Sequence, residues 1–165
     1  MTRNLALLAC VKAIGDTACF SGLTLMKMME AVIHNQPALL ADITRLAQCH
    51  DDIAVLWLYG SRAKGRYHDH SDLDLAIAFQ RFDLSAADKL TRPHELAMLW
   101  ADELGITTDL ISIVDINTIP AYLAFNVIEQ GQILYQDDSP RAYKEANRIY
   151  SQYEYQMIEN KYHDH

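Results

Sequence analysis

The sequence contains few of the residues that mark several large classes of protein. Among its 165 residues are three cysteines, Cys10, Cys19 and Cys49, and no two of them form a Cys-x-x-Cys pair. An odd number without close spacing argues against a disulfide framework or a zinc site and favours small thiols in a reducing compartment. No apolar stretch reaches the roughly 18 residues that a membrane-spanning helix needs. We therefore expect a cytoplasmic protein that does not enter a membrane.

Basic residues are also in short supply. Lysine and arginine together number 14 against 22 aspartates and glutamates, so the formal net charge is −8. A protein that binds nucleic acid by neutralising its phosphates usually has the opposite balance, and we expect no direct nucleic-acid binding. Any phosphate-bearing substrate would need a metal cation between its own charge and that of the protein.

The hydrophobic pattern predicts an α+β fold in which helices flank a mixed β-sheet. Half of the residues are hydrophobic and 22% are charged, as in an ordinary globular domain. We interpret residues 1–28 as an N-terminal extension, residues 29–138 as the domain, and residues 139–165 as a C-terminal helix and tail. The predicted helices are 30–50, 90–104, 119–130 and 140–161, and the predicted strands are 53–59, 72–79, 108–114 and 132–135.

Two aspartates open the second predicted strand. Since side chains alternate along a strand, Asp72 and Asp74 point to the same face, about 7 Å apart. The apolar residues that take the opposite face and can form core are Leu73, Leu75, Ile77 and Phe79. Two neighbouring carboxylates repel each other and resist burial, which makes sense if a divalent cation lies between them. Oxygen ligands alone suit Mg²⁺ or Mn²⁺.

The loop before this strand carries groups that suit phosphate. Gly60 ends the first predicted strand and lets the backbone approach a ligand closely, and Ser61 offers a hydroxyl and a backbone N–H. Arg62 and Lys64 add positive charge that suits a triphosphate. Asp109 lies early in the third predicted strand, and its carboxylate joins the aspartate pair if that strand lies next to the second. Three carboxylates together can hold one or two metal ions for nucleotidyl transfer.

The stretch GSRAKGRYHDHSDLD joins these features as Gly-Ser, ten residues, then Asp-x-Asp. It resembles the signature of the DNA polymerase β-like nucleotidyltransferase superfamily. The stretch TDLISI resembles the strand that carries the family's third carboxylate. The stretch AFNVIEQGQILYQDD resembles the closing helix and strand of the minimal nucleotidyltransferase branch. Together these resemblances cover residues 35–138.

That branch includes antitoxins paired with HEPN-domain ribonuclease toxins, and the resemblance implies the same role here. The implied reaction is transfer of AMP from ATP to a tyrosine of the toxin. The resemblance also implies that Asp72 and Asp74 bind Mg²⁺, that Asp109 is the third catalytic carboxylate, and that Gly60 and Ser61 hold the triphosphate. We therefore expect a nucleotidyltransferase that adenylylates a partner protein and binds it.

Two other functions are open at this point. One is a small-molecule nucleotidyltransferase of the aminoglycoside-modifying type, and the other is a non-catalytic antitoxin that inhibits by contact. The last predicted helix carries Tyr143, Tyr150 and Met157 at seven-residue spacing, as a face that either packs on the domain or binds the partner. The His-Asp-His tripeptide at 68–70 resembles a metal site, but neighbours on an extended loop rarely converge on one ion.

Overall fold

The computed structural model describes residues 35–68 and 71–163, so the predicted N-terminal extension lies outside the described residues. Five α-helices and four β-strands form in this part of the chain. The helices are α1 (Gln36–Gln48), α2 (Gly60–Ala63), α3 (Ala86–Leu104), α4 (Ala121–Gln130) and α5 (Arg141–His163). The strands are β1 (Ile53–Tyr59), β2 (Leu73–Phe79), β3 (Ile111–Asp115) and β4 (Gln132–Gln136).

The strands form one mixed sheet in the order β3-β2-β1-β4. Strand β1 pairs antiparallel with both β2 and β4, whereas β2 and β3 are parallel. A parallel pair needs a long crossover connection, and α3 supplies it between β2 and β3. The predicted α+β class with a mixed sheet is confirmed, and β3 does lie next to β2.

Both faces of the sheet are covered by helices, and each face has its own apolar core. Helices α1 and α3 cover the face on which β2 buries the predicted core residues Leu73, Leu75, Ile77 and Phe79. Helices α4 and α5 cover the other face, where Val127 and Ile149 pack with Trp57 and Ala76. Asp74 lies on that second face together with Ala76. Because Asp74 is the second residue of β2 and the remaining residues are apolar, the polar part of β2 is confined to its N-terminal end.

Capping residues mark where α1 and α3 begin, and α3 begins at a different residue from the one predicted. Asn35 caps α1 and Pro37 lies in its first turn, while residues 30–34 of the predicted helix lie outside the described residues. Helix α3 begins earlier than the predicted residue 90, because Ser85 caps it through its side chain. Pro93 therefore lies inside α3 and not near its start.

Strand β3 begins later than the sequence predicts. The residues Thr108–Leu110 form a 3₁₀ turn, and the strand covers only Ile111–Asp115. The prediction that Asp109 lies in the strand is wrong. Pairing with β2 starts at Ile111, which is in register with Leu73. The register with β2 thus sets where β3 begins, and Asp109 stays in the turn before it.

Helix α5 packs on the domain over only part of its length. Ile149 is fully buried, and the ring of Tyr153 stacks on Phe125 of α4 at 4.1 Å between centroids. The three residues of the row with seven-residue spacing are all exposed, and of these Tyr150 also packs edge-on against Phe125. All side chains from 154 to 161 are exposed. Within the described ranges, no helix is long and apolar enough to cross a membrane.

An ion-pair network ties α3 to the C-terminal end of β3. Arg92 donates to the carboxylate of Asp115 at 2.8 Å and to that of Asp52 at 3.2 Å, and its guanidinium lies 3.7 Å from the ring centre of Phe79. Asp115 is only 3% exposed. Sequence analysis did not single out this network, because its carboxylates lie 23 and 40 positions from Arg92 and no local pattern connects them.

Candidate active site

Strand β1 ends at a tight turn whose backbone favours glycine. Gly60 has a φ of +72°, and the single-turn helix α2 begins there. A Cβ atom at Gly60 would overlap the Oδ2 atom of Asp74 and lie 2.9 Å from its Cγ atom. Tyr59, the preceding residue, is in register with Asp74 across β1 and β2. The missing side chain of Gly60 thus leaves the space in which the Asp74 carboxylate lies against the turn.

The two predicted metal ligands flank the first residue of β2. Asp72 is exposed just before the strand, and Asp74 is half-buried beside the turn. Burial raises the pKa of Asp74 above its ordinary value, the negative charge of Asp72 raises this pKa further, and the Arg62 guanidinium opposes both. The structure therefore brings Asp72 and Asp74 close enough to influence each other, at one end of an otherwise apolar strand.

This pair of carboxylates fits a divalent cation. Carboxylate oxygens are the ligands that Mg²⁺ and Mn²⁺ prefer, and a cation would relieve the repulsion between Asp72 and Asp74. Within residues 35–68 and 71–163, no three His, Cys, Asp or Glu side chains are grouped closely enough to hold a metal ion. The described residues thus provide two carboxylates, and the contribution of Asp109 as a third ligand stays a prediction.

Asp109 lies at the same edge of the sheet as the pair. The parallel register joins Leu73 to Ile111, so the turn before β3 and the residue before β2 share one edge. The side chain of Asp109 is exposed there. The residue in register with Asp74 is Ser112, whose side chain is also exposed. Sequence analysis missed Ser112, because only the register of the assembled sheet reveals its position.

The residues predicted to bind phosphate have different surroundings. Ser61 is half-buried in α2, and its carbonyl accepts a hydrogen bond from the Arg66 N–H at 3.1 Å. Lys64, which follows α2, is exposed. Arg62 is only 3% exposed, and its Nε donates to the Ser71 carbonyl at 2.9 Å. The fold thus places the charge of Lys64 at the surface and that of Arg62 in the interior.

Tyr59 borders the site, although sequence analysis treated it only as the end of a strand. Burial raises the pKa of its phenol to about 12, and the charge of Asp74 acts in the same direction. The phenol therefore stays protonated near neutral pH. Its position directly before Gly60 was the available signal, but the burial that raises its pKa comes from the assembled sheet.

Comparison with known proteins connects this geometry to a family. The family described as Polymerase beta, Nucleotidyltransferase matches residues 41–140, which is more than half of the chain. One relative is the Protein adenylyltransferase MntA of Aphanizomenon flos-aquae (strain 2012/KM1/D3). It is 26% identical over 99 residues, which make up 59% of this chain and 66% of the relative. The match therefore spans slightly less than two thirds of that relative's length.

Solved structures share the fold. A chain in the crystal structure of a toxin–antitoxin with AMP-PNP superposes with a TM-score of 0.61 at 23% identity, covering 74% of this chain and 92% of that one. A chain in the complex of a tri-AMPylated Shewanella oneidensis HEPN toxin with an MNT antitoxin gives a TM-score of 0.51 at 19% identity, covering 80% and 92%. The mixed sheet, the turn packed on Asp74 and the match over residues 41–140 agree, and the chain belongs to the polymerase β nucleotidyltransferase family.

Proposed function

We propose that this protein is a Mg²⁺-dependent antitoxin that transfers AMP from ATP to a tyrosine of a HEPN ribonuclease toxin. The observation that carries the proposal is the packing of Gly60 on Asp74, which joins a phosphate-binding turn to a carboxylate strand. The relative named as a protein adenylyltransferase supports the reaction class. The toxin–antitoxin complexes with the same fold support the biological role.

In this proposal Asp72 and Asp74 hold the cation, with Mg²⁺ or Mn²⁺ serving equally by ligand chemistry. A bound cation would neutralise the charge that develops on the phosphate oxygens during transfer. A cation is needed because the protein has a formal charge of −8, and its carboxylates would otherwise repel ATP.

The triphosphate of ATP is proposed to lie on the turn after β1. The backbone at Gly60 allows close approach, and the hydroxyl and N–H of Ser61 are donors to phosphate oxygens. The exposed ammonium of Lys64 adds a charge near the turn. Arg62 belongs to the same nucleotide-binding loop but acts from the interior.

The proposed transfer step is a displacement at the α-phosphorus of ATP. The tyrosine hydroxyl oxygen forms a bond to that phosphorus, the bond to the oxygen bridging the α- and β-phosphates breaks, and pyrophosphate leaves. The phenolic proton passes to a carboxylate, and we assign this role to Asp109. The support for Asp109 is that the turn containing it and the residue Asp72 lie at the same edge of the parallel pair of strands.

The partner toxin is proposed to bind along the distal part of α5. The side chains from 154 to 161 are exposed, and they include the large apolar residues Tyr155, Met157 and Ile158. About two helical turns without tertiary packing are marginally stable in water. Tyrosine and methionine are enriched in protein interfaces, so a partner is the natural cover for this segment.

Modification of a tyrosine near the toxin's ribonuclease site would block RNA in two ways. AMP adds a negatively charged phosphate that repels the RNA backbone, and it adds a nucleoside that fills space. The activity would thus neutralise the toxin beyond what binding alone achieves.

The decisive experiment combines the chain, its HEPN partner, labelled ATP and Mg²⁺, with and without EDTA. We expect wild type to label the partner, and mass spectrometry to find additions of AMP on a tyrosine. Asp72→Asn and Asp74→Asn should each abolish labelling while leaving the fold intact or slightly more stable, since one repelling charge is removed. Asp83→Asn is the matched control, because Asp83 is an exposed aspartate outside the site.

Each alternative mechanism or function predicts a different outcome of this experiment. Labelling near the wild-type level by Asp72→Asn or Asp74→Asn would remove the metal site from the mechanism, and full activity of Asp109→Asn would remove Asp109. A partner that stays unmodified but is silenced in the complex would replace catalysis with inhibition by contact. Modification of an aminoglycoside, with no protein modified, would establish the small-molecule reaction instead.

A further inference from the structure

The two halves of the site are separated by ten residues, numbered 62–71, which comprise the last two residues of α2 and the loop that follows and are called the loop below. Ser61 lies directly before this loop and Asp72 directly after it. Closing a loop of this length costs conformational entropy, so an unrestrained loop would leave the phosphate turn and the first carboxylate free to move apart. Pairing of Tyr59 with Asp74 and of Leu73 with Ile111 restrains the strands, and Asp72 lies one residue outside β2 without a strand partner of its own.

One hydrogen bond joins the first residue of this loop to the last. The Nε atom of Arg62 donates to the carbonyl of Ser71 at 2.9 Å. Arg62 is 3% exposed and Ser71 is half-buried, so this bond is partly shielded from water, and its charged donor makes it stronger than a neutral one. Because Ser61 and Asp72 are the direct neighbours of these two residues, the bond sets the distance between the phosphate turn and the carboxylate.

Other contacts fold the loop around the Arg62 side chain. The Ser71 N–H donates to the His68 carbonyl at 2.9 Å, and the His68 N–H donates to Ser71 Oγ at 2.8 Å. The guanidinium of Arg62 lies 5.2 Å from the ring centre of Tyr67. Arg62 therefore contacts both the closing turn of the loop and an aromatic ring within it.

We propose that Arg62 is a positioning residue, which holds Asp72 in place for the metal through Ser71 and does not contact the triphosphate. The inference rests on the proposed function, since it concerns the same site. It revises the expectation that the charge of Arg62 binds phosphate, because a side chain 3% exposed with its Nε committed to Ser71 is poorly placed for that. Lys64 is the exposed cation of the loop and takes the phosphate role.

The test uses the full chain without its partner and measures three properties. These are amide hydrogen exchange at His68 and Ser71, binding of Mn²⁺ by electron paramagnetic resonance, and binding of ATP at saturating Mg²⁺ by calorimetry. We expect Arg62→Met to speed exchange at both amides and to weaken Mn²⁺ binding about tenfold, with ATP affinity within about threefold of wild type. Arg62→Lys keeps a charged donor and should recover most of the Mn²⁺ affinity.

Two loop variants serve as comparisons. Lys64→Met should weaken ATP binding without changing amide exchange, and Arg66→Met, the same substitution at an exposed arginine, should change neither. If Arg62→Met fails to fold, Tyr67→Leu carries the test, because loss of the ring loosens the guanidinium and should shift exchange and Mn²⁺ affinity in the same direction.

Two results would overturn the inference. One is a loss of ATP affinity in Arg62→Met equal to that in Lys64→Met, with amide exchange unchanged, which would make Arg62 a phosphate ligand. The other is unchanged exchange and unchanged Mn²⁺ binding in every Arg62 variant. Failure of the proposed function looks different, because wild type itself would then bind neither Mn²⁺ nor ATP.

Discussion

Gly60 and Gly65 have nearly the same backbone conformation but different surroundings. Their φ angles are +72° and +66°, in a region that costs an L-residue roughly 1–2 kcal/mol. A Cβ atom at Gly60 would overlap Asp74, whereas one at Gly65 meets nothing within 4 Å. We expect Gly65→Ala to lower the free energy of unfolding by about 1 kcal/mol and to keep activity. Gly60→Ala should lower it further and abolish AMP transfer.

Urea unfolding and the transfer assay separate these two effects. The backbone conformation is common to both glycines, so the difference between the two variants reports the contact with Asp74 alone. Equal stability and equal activity of Gly60→Ala and Gly65→Ala would show that this contact has no role in the site.

His50 affects the pH dependence of stability at the end of β1 opposite Gly60. Its Nδ1 atom accepts a hydrogen bond from the Asp52 N–H at 3.3 Å. Burial lowers the pKa of His50 below its ordinary 6.5, although the charges of Asp52 and Asp51 oppose this, and the charge of Arg92 adds to it. The unfolded chain therefore takes up this proton at a higher pH than the folded chain does.

Neutral His50 stabilises the folded state above pH 6.5. This stabilisation is lost as the pH falls below 6.5, because the unfolded chain binds the proton first. His50→Asn keeps an acceptor for the Asp52 N–H but does not titrate, so we expect a shallower loss of stability in acid. Denaturant unfolding of both proteins at several pH values measures the difference. If the free energy of unfolding fell equally with pH in the variant and in wild type, this account of His50 would be contradicted.

At the scale of elements, α5 divides into a packed part and an unpacked part. Ile149 is fully buried between α5 and the sheet, and we expect Ile149→Ala to cost about 2–5 kcal/mol of stability. Met157 and Ile158 are 45% and 54% exposed, and alanine at either position should change stability by about 0.5 kcal/mol or less. The same two substitutions together should weaken binding of the HEPN partner about tenfold or more.

Thermal unfolding of the free chain and calorimetry with the partner measure these two properties. Tyr122→Ala on α4 is a control for loss of exposed apolar surface outside α5, since Tyr122 is 60% exposed. Undiminished partner affinity after both distal substitutions would place the interface elsewhere on the molecule.

At the scale of the whole molecule, the candidate site and the buried ion pairs lie at opposite ends of β2. Arg92 joins Asp115 and Asp52 where the sheet ends, and the side chain of Asp115 is only 4% exposed. Arg92→Met would leave a buried carboxylate without its cation, so we expect a loss of about 3–5 kcal/mol. Arg81→Met breaks only an exposed pair at 3.5 Å and should cost about 1 kcal/mol or less.

Because the network is remote from Asp72 and Asp74, activity per folded molecule should be unchanged in Arg92→Met. Urea unfolding measures the stability, and transfer assays at a temperature where the variant is folded measure the activity. A stable variant with reduced transfer would instead mean that the two ends of the sheet are coupled.

The sequence by itself determined the features of the fold and site that depend on residues close together in the chain. Alternation along β2 put its apolar residues Leu73, Leu75, Ile77 and Phe79 in the core and Asp74 on the opposite face. The apolar pattern predicted a helix within residues 30–50, where α1 lies, and Gly60 marked the turn after β1. These are short-range steric and hydrogen-bonding preferences, so they can be read before the chain folds.

Only the tertiary structure decided the features that depend on distant segments. The start of β3, and with it the position of Asp109 in a turn, follows from register with β2 and not from local pattern. The sequence grouped Arg62 with Lys64 as a charge for the triphosphate, because the burial of Arg62 appears only once the loop closes on Ser71. The pairing of Arg92 with Asp115 likewise exists only where separate elements meet, since burial and long-range charge pairing are properties of the assembled molecule.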